Sequence, residues 1–280
     1  MKIVHSAAAL EGLLRQYREE GKSVGFVPTM GALHEGHAAL VRRCAAENGV
    51  CAASIFVNPA QFDNPEDLRL YPRTPEGDCV LLEEVGADIV FVPSEEEVYP
   101  VPDNRVFDFG LSGRVMEGAC RPGHFDGVAR VVSRLFDLVK PHRAYFGEKD
   151  FQQLVLVRRL VEMLQLPVEI VAVATVREPD GLAMSSRNRR LTAEQRVCAA
   201  EIFHILRESL LQAEKLSPDG VIRFVTGAVN NVPELRVEYF NIVDGLTLQP
   251  VTSWRGPGNI VGAIAVYCGE VRLIDNIRYR

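Results

Sequence analysis

Two histidines with the spacing His-x-x-His, His34 and His37, are the residues of this chain best suited to chemistry. They lie in the segment PTMGALHEGH at 28–37, between a short apolar run at 24–27 and an amphipathic run that begins at Ala38. Residues three apart in the first turn of a helix project from nearly the same side. An imidazole can donate to a phosphate oxygen, and a helix N-terminus favours an anion. The segment therefore indicates a nucleotide-phosphate site.

Two other interpretations of these histidines stay open. They could be ordinary capping or surface residues, or they could form half of a metal site, as in a metallohydrolase with tightly bound zinc. The other histidines (His5, His124, His142 and His204) are scattered without ligand spacing, and no His-Glu-x-x-His pattern occurs. We therefore predict no protein-built metal site.

A second group of phosphate-binding side chains is found in the basic loop AMSSRNRR at 183–190. The hydroxyls of Ser185 and Ser186, beside Arg187, can donate several hydrogen bonds to a polyphosphate. Taken alone, this loop is more typical of a solvated basic surface. Its position just after an apparent domain boundary favours a loop that closes over a ligand.

The pattern of elements predicts where these groups lie. Short apolar runs alternate with helical patterns in the first part of the chain, which predicts an α/β fold with a parallel sheet covered by helices on both faces. The predicted strands are 24–27, 50–57, 88–92, 144–146 and 168–173. Ligands of such sheets bind at the carboxyl ends of the strands. The polar segments 28–37, 58–62 and 147–150 all follow strands and are expected to meet there.

The pattern changes after the turn at 178–181. A capping box at Thr192–Gln195 opens a helix that we expect to reach Leu211, and a second helix is predicted at 218–229. Strands follow near 236–243, 260–268 and 271–274, and the last two are joined as a hairpin. We therefore expect a domain of residues 1–177 and a smaller α+β domain with an antiparallel sheet at 178–280.

Composition and charge narrow the class of protein. The 280 residues carry a formal net charge of −6, which argues against general nucleic-acid binding. We find no apolar run of membrane-spanning length and no secretory signal. Six cysteines without a Cys-x-x-Cys pair are typical of reduced thiols, so we expect a cytoplasmic protein.

Several motifs together resemble one family. His34–His37 resembles the His-Ile-Gly-His element of the nucleotidyltransferase and class I tRNA-synthetase superfamily, and Met184–Arg187 resembles its Lys-Met-Ser-Lys-Ser loop. The whole set resembles the pantoate–β-alanine ligases. It comprises the segments 28–37, 54–62, 71–75, 121–128, 146–150 and 180–188, in the family's order and within the first 190 residues.

The resemblance implies a Rossmann-like nucleotide- and pantoate-binding domain followed by a smaller lid domain. It also implies an enzyme that condenses (R)-pantoate with β-alanine, using ATP and Mg²⁺, through a pantoyl adenylate that releases pyrophosphate and then AMP. Under this resemblance the catalytic residues are His34, His37, Lys149, Ser185, Ser186 and Arg187, with His37 also a candidate proton donor. The ATP-binding residues are Met30, Gly31, Ala32, Leu33, His34, Glu35, Gly36, His37, Gly147, Glu148, Lys149, Asp150, Val176, Met184, Ser185, Ser186 and Arg187.

Gln61 and Gln153 are the pantoate-binding residues that the resemblance implies, with Gln61 also near β-alanine. Without the resemblance, Gln153 is better explained as the third residue of a capping box that begins at Asp150. Arg121 and His124 fall in a long loop and are left outside the core site, where they could shield the adenylate from water. No spacing singles out Asp63, Asp67 or Asp78 as a Mg²⁺ ligand. A homodimer is expected from the family.

Two rival functions remain open. A cytidylyltransferase-like enzyme of the same superfamily would also release pyrophosphate but would keep the nucleotide on its product. A non-catalytic nucleotide-binding or regulatory protein could use the same fold. The release of AMP and a pantoate-dependent exchange of pyrophosphate with ATP separate these possibilities.

Overall fold

Six strands form a parallel sheet in the computed structural model, which describes residues 1–256 and 258–280. The strands are β1 (Lys2–Val4), β2 (Val24–Thr29), β3 (Val50–Ile55), β4 (Ile89–Phe91), β5 (Arg143–Gly147) and β6 (Glu169–Val173). They lie in the order β1-β4-β3-β2-β5-β6, and each neighbouring pair is parallel. Five of them were predicted, whereas β1 was missed.

Helices alternate with these strands. They are α1 (Ala7–Glu19), α2 (Glu35–Glu47), α3 (Pro65–Leu70), α4 (Pro75–Glu84), α5 (Glu95–Val98), α6 (Glu117–Cys120), α7 (His124–Val139) and α8 (Phe151–Met163). The adjacent residues Phe26 and Val27 of β2 point to opposite faces of the sheet. Phe26 packs edge-on against Phe136 of α7, and Val27 packs in a cluster with Val41 of α2. Helices therefore cover both faces, as predicted.

The last part of the chain forms a separate three-stranded antiparallel sheet. Helices α9 (Ala193–Gln212) and α10 (Pro218–Asn230) precede β7 (Leu235–Asp244), β8 (Ile260–Cys268) and β9 (Val271–Arg278), which lie in the order β7-β8-β9. The capping box of Thr192 and Gln195 is present at the start of α9. The strand β9 is longer than the predicted 271–274. The predicted fold class, a parallel sheet followed by a smaller antiparallel α+β region, is confirmed.

The described chain divides into two compact units. The first consists of Met1–Phe109, Arg121–Glu148 and Leu156–Ala174. The second consists of Gly110–Cys120, Lys149–Val155 and Thr175–Arg280. The second unit therefore includes two short segments from earlier in the sequence, one of which carries Lys149 and the first turn of α8.

Both faces of the antiparallel sheet are covered within the second unit. On one face, Ile264 and Val266 of β8 pack with Leu206 of α9 and Val225 of α10. On the other face, Val261 and Ala263 pack with Met116, Phe151 and Val155, which come from the two short segments. Among the described residues, no helix has the length and apolar character needed to cross a membrane.

Candidate active site

The turn between β2 and α2 is held in its conformation by Asp78. Gly31 and Ala32 have φ angles of +82° and +50°, a region that alanine rarely adopts. The buried Asp78 carboxylate accepts hydrogen bonds from the N–H groups of Ala32 (2.9 Å) and Leu33 (2.8 Å) and from the Thr74 hydroxyl (3.1 Å). A Cβ atom on Gly31 would lie 3.0 Å from Asp78 Oδ2, so glycine suits this position. Asp78 therefore fixes the backbone conformation of the residues that lead into α2.

The two histidines cap α2 with their own rings. His34 is the N-cap residue, and its Nδ1 accepts a hydrogen bond from the N–H of Gly36 (3.1 Å). Nδ1 of His37 accepts one from the N–H of His34 (3.3 Å), which completes a capping box. The ring centroids lie 4.1 Å apart, with the planes inclined at 44°. The predicted proximity of the two rings is confirmed.

The capping bonds determine where the ring protons are. A ring nitrogen that accepts a hydrogen bond carries no proton, so the proton of each neutral imidazole of His34 and His37 is on Nε2. Each neutral ring therefore caps the helix with Nδ1 and carries its proton on Nε2. The interpretation of these residues as helix caps is correct, and it is compatible with phosphate binding.

Glu35, between the two histidines, has a different partner. Its exposed carboxylate pairs with the Arg42 guanidinium on the same helix. The hydrogen bond from Arg42 lowers the pKa of the Glu35 carboxyl below its usual value. The Glu35 carboxylate therefore faces Arg42 on the surface of α2.

Gln61 lies in a short 3₁₀ turn, Pro59–Gln61, that follows β3. Its side chain is buried, with Nε2 2.7 Å from the Met30 sulfur and Oε1 accepting a hydrogen bond from Asn58 Nδ2 (3.3 Å). Thr29 and Ile55, the last residues of β2 and β3, are register partners, so the two following segments begin side by side. The predicted meeting of the segments 28–37 and 58–62 is therefore confirmed.

Arg121 and His124 support Gln61 through its backbone. Arg121 donates to Asp63 Oδ1 (3.0 Å), and its Nη1 lies 3.2 Å from His124 Nε2. An arginine can only donate, so His124 Nε2 is the acceptor and the ring proton is on Nδ1. That Nδ1–H donates to the carbonyl oxygen of Gln61 (2.7 Å). The structure thus gives these two residues a positional role beside the candidate pantoate residue.

Asn58 is a second buried support for this turn, and neither it nor Tyr99 was assigned a role from the sequence. Asn58 has no exposed surface, and its Nδ2 also donates to the carbonyl oxygen of Gly127 (3.1 Å). The Tyr99 hydroxyl donates to Asn58 Oδ1 (3.2 Å). Burial raises the pKa of Tyr99 to about 12, so this hydroxyl keeps its proton over the neutral range.

A cavity of about 260 Å³ adjoins the turn after β2. The residues that line it include Met30, Gly31, Phe56, Arg73, Thr74 and Asp78. This volume is below the range that drug-sized ligands occupy, so it suits a smaller molecule. Its charged lining residues are Arg73, Asp78 and Glu95.

In the second unit, the segment that carries the serines begins with a short hairpin. The N–H of Met184 donates to the carbonyl oxygen of Val176 (3.0 Å). Ser185 caps a 3₁₀ helix, Ser186–Arg190, by accepting a hydrogen bond from the N–H of Arg187 (3.3 Å). Ser186 is buried. The segment is therefore a structured turn, and the interpretation as a solvated surface loop does not describe Ser186.

The segment 147–153 contains the remaining candidates. Gly147 ends β5 and Glu148 follows it, both in the first unit, and Lys149 begins a short stretch of the second. The carbonyl oxygen of Lys149 accepts a hydrogen bond from Asn276 Nδ2 (3.1 Å). Gln152, the neighbour of Gln153, is buried and bonds to backbone groups of the segment 110–120, among them the N–H of Glu117 (3.0 Å).

Two of the carboxylates considered as metal ligands, Asp63 and Asp78, have other partners. Asp63 pairs with Arg121, and both oxygens of Asp78 accept backbone N–H bonds. Within the residues that the structure describes, no three His, Cys, Asp or Glu side chains form a group that could hold a metal ion. Mg²⁺ is an ion that commonly binds through substrate phosphates.

Comparison with known proteins gives one consistent result. The family profile for pantoate-beta-alanine ligase matches residues 2–278. The pantothenate synthetase of Porphyromonas gingivalis W83 is 54% identical over 279 residues, which cover 100% of this chain and 99% of that protein. The pantothenate synthetase of Bacteroides fragilis YCH46 is 53% identical over 280 residues, which cover 100% of this chain and 99% of that protein.

Solved structures agree with these relatives. The crystal structure of pantothenate synthetase from Thermus thermophilus superposes with a TM-score of 0.93 at 47% identity, covering 100% of this chain and 99% of that one. The pantoate-beta-alanine ligase of Francisella tularensis, complexed with beta-gamma ATP and beta-alanine, superposes with a TM-score of 0.85 at 34% identity. That match covers 100% of this chain and 98% of the other.

Proposed function

The chain belongs to the pantoate–β-alanine ligase family, and from that premise we propose that it condenses (R)-pantoate with β-alanine to give pantothenate, at the expense of ATP. The observation that carries the proposal is the pair of capping bonds to Nδ1 of His34 and of His37, from which it follows that each neutral ring has its proton on Nε2 at the N-terminus of α2. Such donors stabilise negative charge on phosphoryl oxygens. The Francisella tularensis relative, solved with ATP and β-alanine, supports the same substrates.

The first step forms the adenylate. A pantoate carboxylate oxygen attacks the α-phosphorus of ATP, the bond to the β-phosphate oxygen breaks, and pyrophosphate leaves. Charge increases on the α-phosphoryl oxygens and on the departing pyrophosphate, so fixed donors there accelerate the reaction. We assign that role to His34 and His37, with His37 also able to give a proton to the leaving group. The other catalytic residues that we propose are Lys149, Ser185, Ser186 and Arg187.

The second step forms the amide. The β-alanine amine attacks the acyl carbon of pantoyl adenylate, AMP leaves, and the amine loses a proton. Asn58 bonds to the buried side-chain amide of Gln61, and His124 bonds to its backbone carbonyl oxygen. This amide is suited to hold pantoate, because an amide both donates and accepts. We propose that Gln153 also binds pantoate and that Gln61 lies near β-alanine.

We propose that the remaining ATP contacts come from the segments beside these residues. They are Met30, Gly31, Ala32, Leu33, Glu35 and Gly36 before and within α2, Gly147, Glu148 and Asp150 near β5, and Val176 and Met184 in the second unit. In the described structure the N–H groups of Ala32 and Leu33 bond to Asp78. We therefore propose that these two residues contact ATP through other atoms, while their N–H groups hold the turn.

We propose that Mg²⁺ enters as a complex with ATP. Asp63 pairs with Arg121 and Asp78 bonds to the N–H of Ala32, and Mg²⁺ keeps water and phosphate ligands readily. Binding to the phosphates would neutralise part of their charge. We also propose a cytoplasmic homodimer; the free cysteines support a reducing compartment, and twofold dimers are the commonest oligomers. Light scattering tests the dimer.

Exchange of labelled pyrophosphate into ATP tests the proposed function. The purified protein is incubated with ATP, Mg²⁺ and labelled pyrophosphate, with and without (R)-pantoate. We expect exchange that requires pantoate, and one AMP for each pantothenate when β-alanine is added. A stable nucleotidylated product without AMP would favour a cytidylyltransferase. No exchange by folded protein would favour a non-catalytic nucleotide-binding protein, and tightly bound zinc in elemental analysis would favour a metallohydrolase.

A further inference from the structure

Two adjacent residues of β9, Asp275 and Asn276, hold different parts of the proposed phosphate site. Asp275 lies on the face of the sheet that packs on α9 and α10, and its cross-strand partner Ile264 belongs to that core. Asn276 lies on the opposite face, where its partner Ala263 packs with Phe151 at the start of α8. Successive side chains of a strand point to opposite faces, so one dipeptide contacts both layers.

Asp275 is an unusual residue for its position. Alternate residues of β9 are buried, namely Val271, Leu273, Asp275 and Ile277. The other three of these four are apolar. The Asp275 side chain is only 4% exposed. A buried carboxylate is costly unless it is paired and hydrogen-bonded, so its presence in this row indicates a specific partner.

That partner is Arg177, at the base of the segment that carries the serines. Its two terminal nitrogens donate to the two oxygens of Asp275, at 2.6 and 2.9 Å. The Arg177 guanidinium also lies 3.6 Å from the centroid of the Phe203 ring and donates to the carbonyl oxygen of Gly181 (3.1 Å). A planar guanidinium bound in this way has little rotational freedom.

The ion pair therefore fixes the hairpin that leads to Ser185. Arg177 pairs with Ala183 across this hairpin, one residue before Met184. With one end of the hairpin bound to β9, the path of the chain into Met184 and Ser185 is determined. The position of Ser185 therefore depends on Asp275, about 90 positions later in the sequence.

Asn276 does the same for Lys149. Its Nδ2 donates to the Lys149 carbonyl oxygen (3.1 Å), which precedes the first turn of α8. The backbone of Asn276 is connected to the first anchor as well, because its N–H donates to Asp275 Oδ1 (2.7 Å). The backbone at Lys149 and the hairpin that leads to the two serines are therefore both anchored to adjacent residues of β9.

We propose that Asp275 and Asn276 are positioning residues for adenylation. They hold the backbones of Lys149 and of the segment 184–187 in a fixed register, so that the side chains of both reach the triphosphate together. This inference depends on the proposed function, which assigns those side chains to ATP. Neither residue touches the reacting atoms; each acts through the segment that it holds.

The test separates the two chemical steps. Asn276→Ser shortens the side chain so that the bond to Lys149 is lost, and Asn241→Ser, on β7 and also paired with Ala263, is the matched control. We expect pantoate-dependent pyrophosphate exchange to fall by about 10- to 100-fold in Asn276→Ser, the loss that a displacement of about 1 Å causes. Release of AMP when β-alanine is added to enzyme already loaded with pantoyl adenylate should keep its wild-type rate, because the triphosphate contacts are no longer needed.

The ion pair needs a variant that folds. Removing Asp275 alone would leave the part-buried Arg177 without its counter-charge, whereas replacing both partners by apolar residues is often neutral for stability. We therefore compare Asp275→Asn with the double variant Arg177→Met/Asp275→Leu by urea unfolding and by exchange. Positioning predicts that the double variant recovers stability but not exchange, with a raised KM for ATP.

Each outcome bears on a different statement. If wild-type protein shows no pantoate-dependent exchange, the proposed function fails, and the positioning role fails with it. If the wild type exchanges and Asn276→Ser does so equally well, only the positioning role is overturned. The same holds if the double variant regains exchange together with stability, or if Asn276→Ser slows both steps equally, because a general structural role would then suffice.

Discussion

Gly127 of α7 lies so close to the carbonyl oxygen of Ala60 that a Cβ atom on Gly127 would be 2.1 Å from it. The same glycine's own carbonyl oxygen accepts a hydrogen bond from Asn58. The close approach sets α7 directly against the turn that presents Gln61. The position of the candidate pantoate residue therefore depends on a residue 66 positions later having no side chain.

We expect Gly127→Ala to destabilise the protein and to raise the KM for pantoate. Alanine gains about 1 kcal/mol in helix propensity over glycine, but overpacking of this kind costs about 1–3 kcal/mol, so the clash should prevail. Displacement of the turn should weaken pantoate binding by about 10-fold or more. Urea unfolding and steady-state kinetics measure both effects.

Gly12→Ala in α1 is the matched control. A Cβ atom there would meet nothing within 4 Å, so propensity alone should act and the variant should gain about 1 kcal/mol. If Gly127→Ala were as stable as Gly12→Ala and bound pantoate normally, the close contact would have no functional weight.

The capping and donor functions of His34 and His37 can be separated by substitution. Asparagine is a good N-cap residue, and glutamine at the third helical position completes a capping box. We expect His34→Asn and His37→Gln to change the free energy of unfolding by less than about 0.5 kcal/mol, the usual range where no feature is lost. Each should lower pyrophosphate exchange roughly 100-fold, the typical loss for one removed donor.

His34→Ala is the comparison for stability, because it removes the cap and should cost about 1 kcal/mol. Wild-type exchange rates in His34→Asn and His37→Gln would mean that the rings serve only as caps. The interpretation as ordinary capping residues would then be sufficient.

Asp78 is expected to act through the turn and not through Mg²⁺. In Asp78→Asn the amide retains one acceptor oxygen, so the N–H of either Ala32 or Leu33 meets an NH₂ group instead. An unsatisfied buried group costs about 1–3 kcal/mol, and exchange should fall because α2 begins in a different position. Raising the Mg²⁺ concentration should not restore the rate.

Asp219→Asn gives a baseline, because Asp219 forms an exposed pair with Arg223 and its loss should cost less than about 1 kcal/mol. Recovery of Asp78→Asn activity at high Mg²⁺ would contradict the structural assignment and identify Asp78 as a metal ligand.

Local signals in the sequence predicted much of this structure. The apolar run at 260–268 coincides with β8, and the Thr192–Gln195 capping box marks the start of α9. By contrast, β1 has three residues, none of them buried, so it gives no apolar alternation from which a strand could be predicted.

The sequence predicted the chemical groups of the site but not the residues that hold them in position. The spacing of His34 and His37 identifies a shared face, because both lie within one turn. No local pattern connects Asp78 with Ala32, or Asn276 with Lys149, since these pairs meet only after folding. The end of β9 was missed for a related reason: Asp275 interrupts the apolar pattern, and only its pairing with Arg177 makes a buried carboxylate acceptable there.

The hydroxyl of Tyr99 provides a pH-dependent test of the support beneath Gln61. Burial raises the pKa of Tyr99 to about 12 from an ordinary value of about 10, so folding favours the protonated hydroxyl that bonds to Asn58. Between these values the unfolded chain has lost the proton that the folded chain keeps. Stability from this group is therefore complete below pH 10 and declines as the pH rises toward 12.

Tyr99→Phe isolates that contribution from the other groups that titrate in alkali. At pH 8 the variant should be about 1 kcal/mol less stable than the wild type, because Asn58 Oδ1 loses its donor. The difference should shrink toward zero as the pH approaches 12, since the wild type alone then loses the contribution of the hydroxyl proton. Urea unfolding of both proteins at intervals between pH 8 and pH 11.5 measures it. A difference that stays constant across this range would show that the Tyr99 proton does not support Asn58.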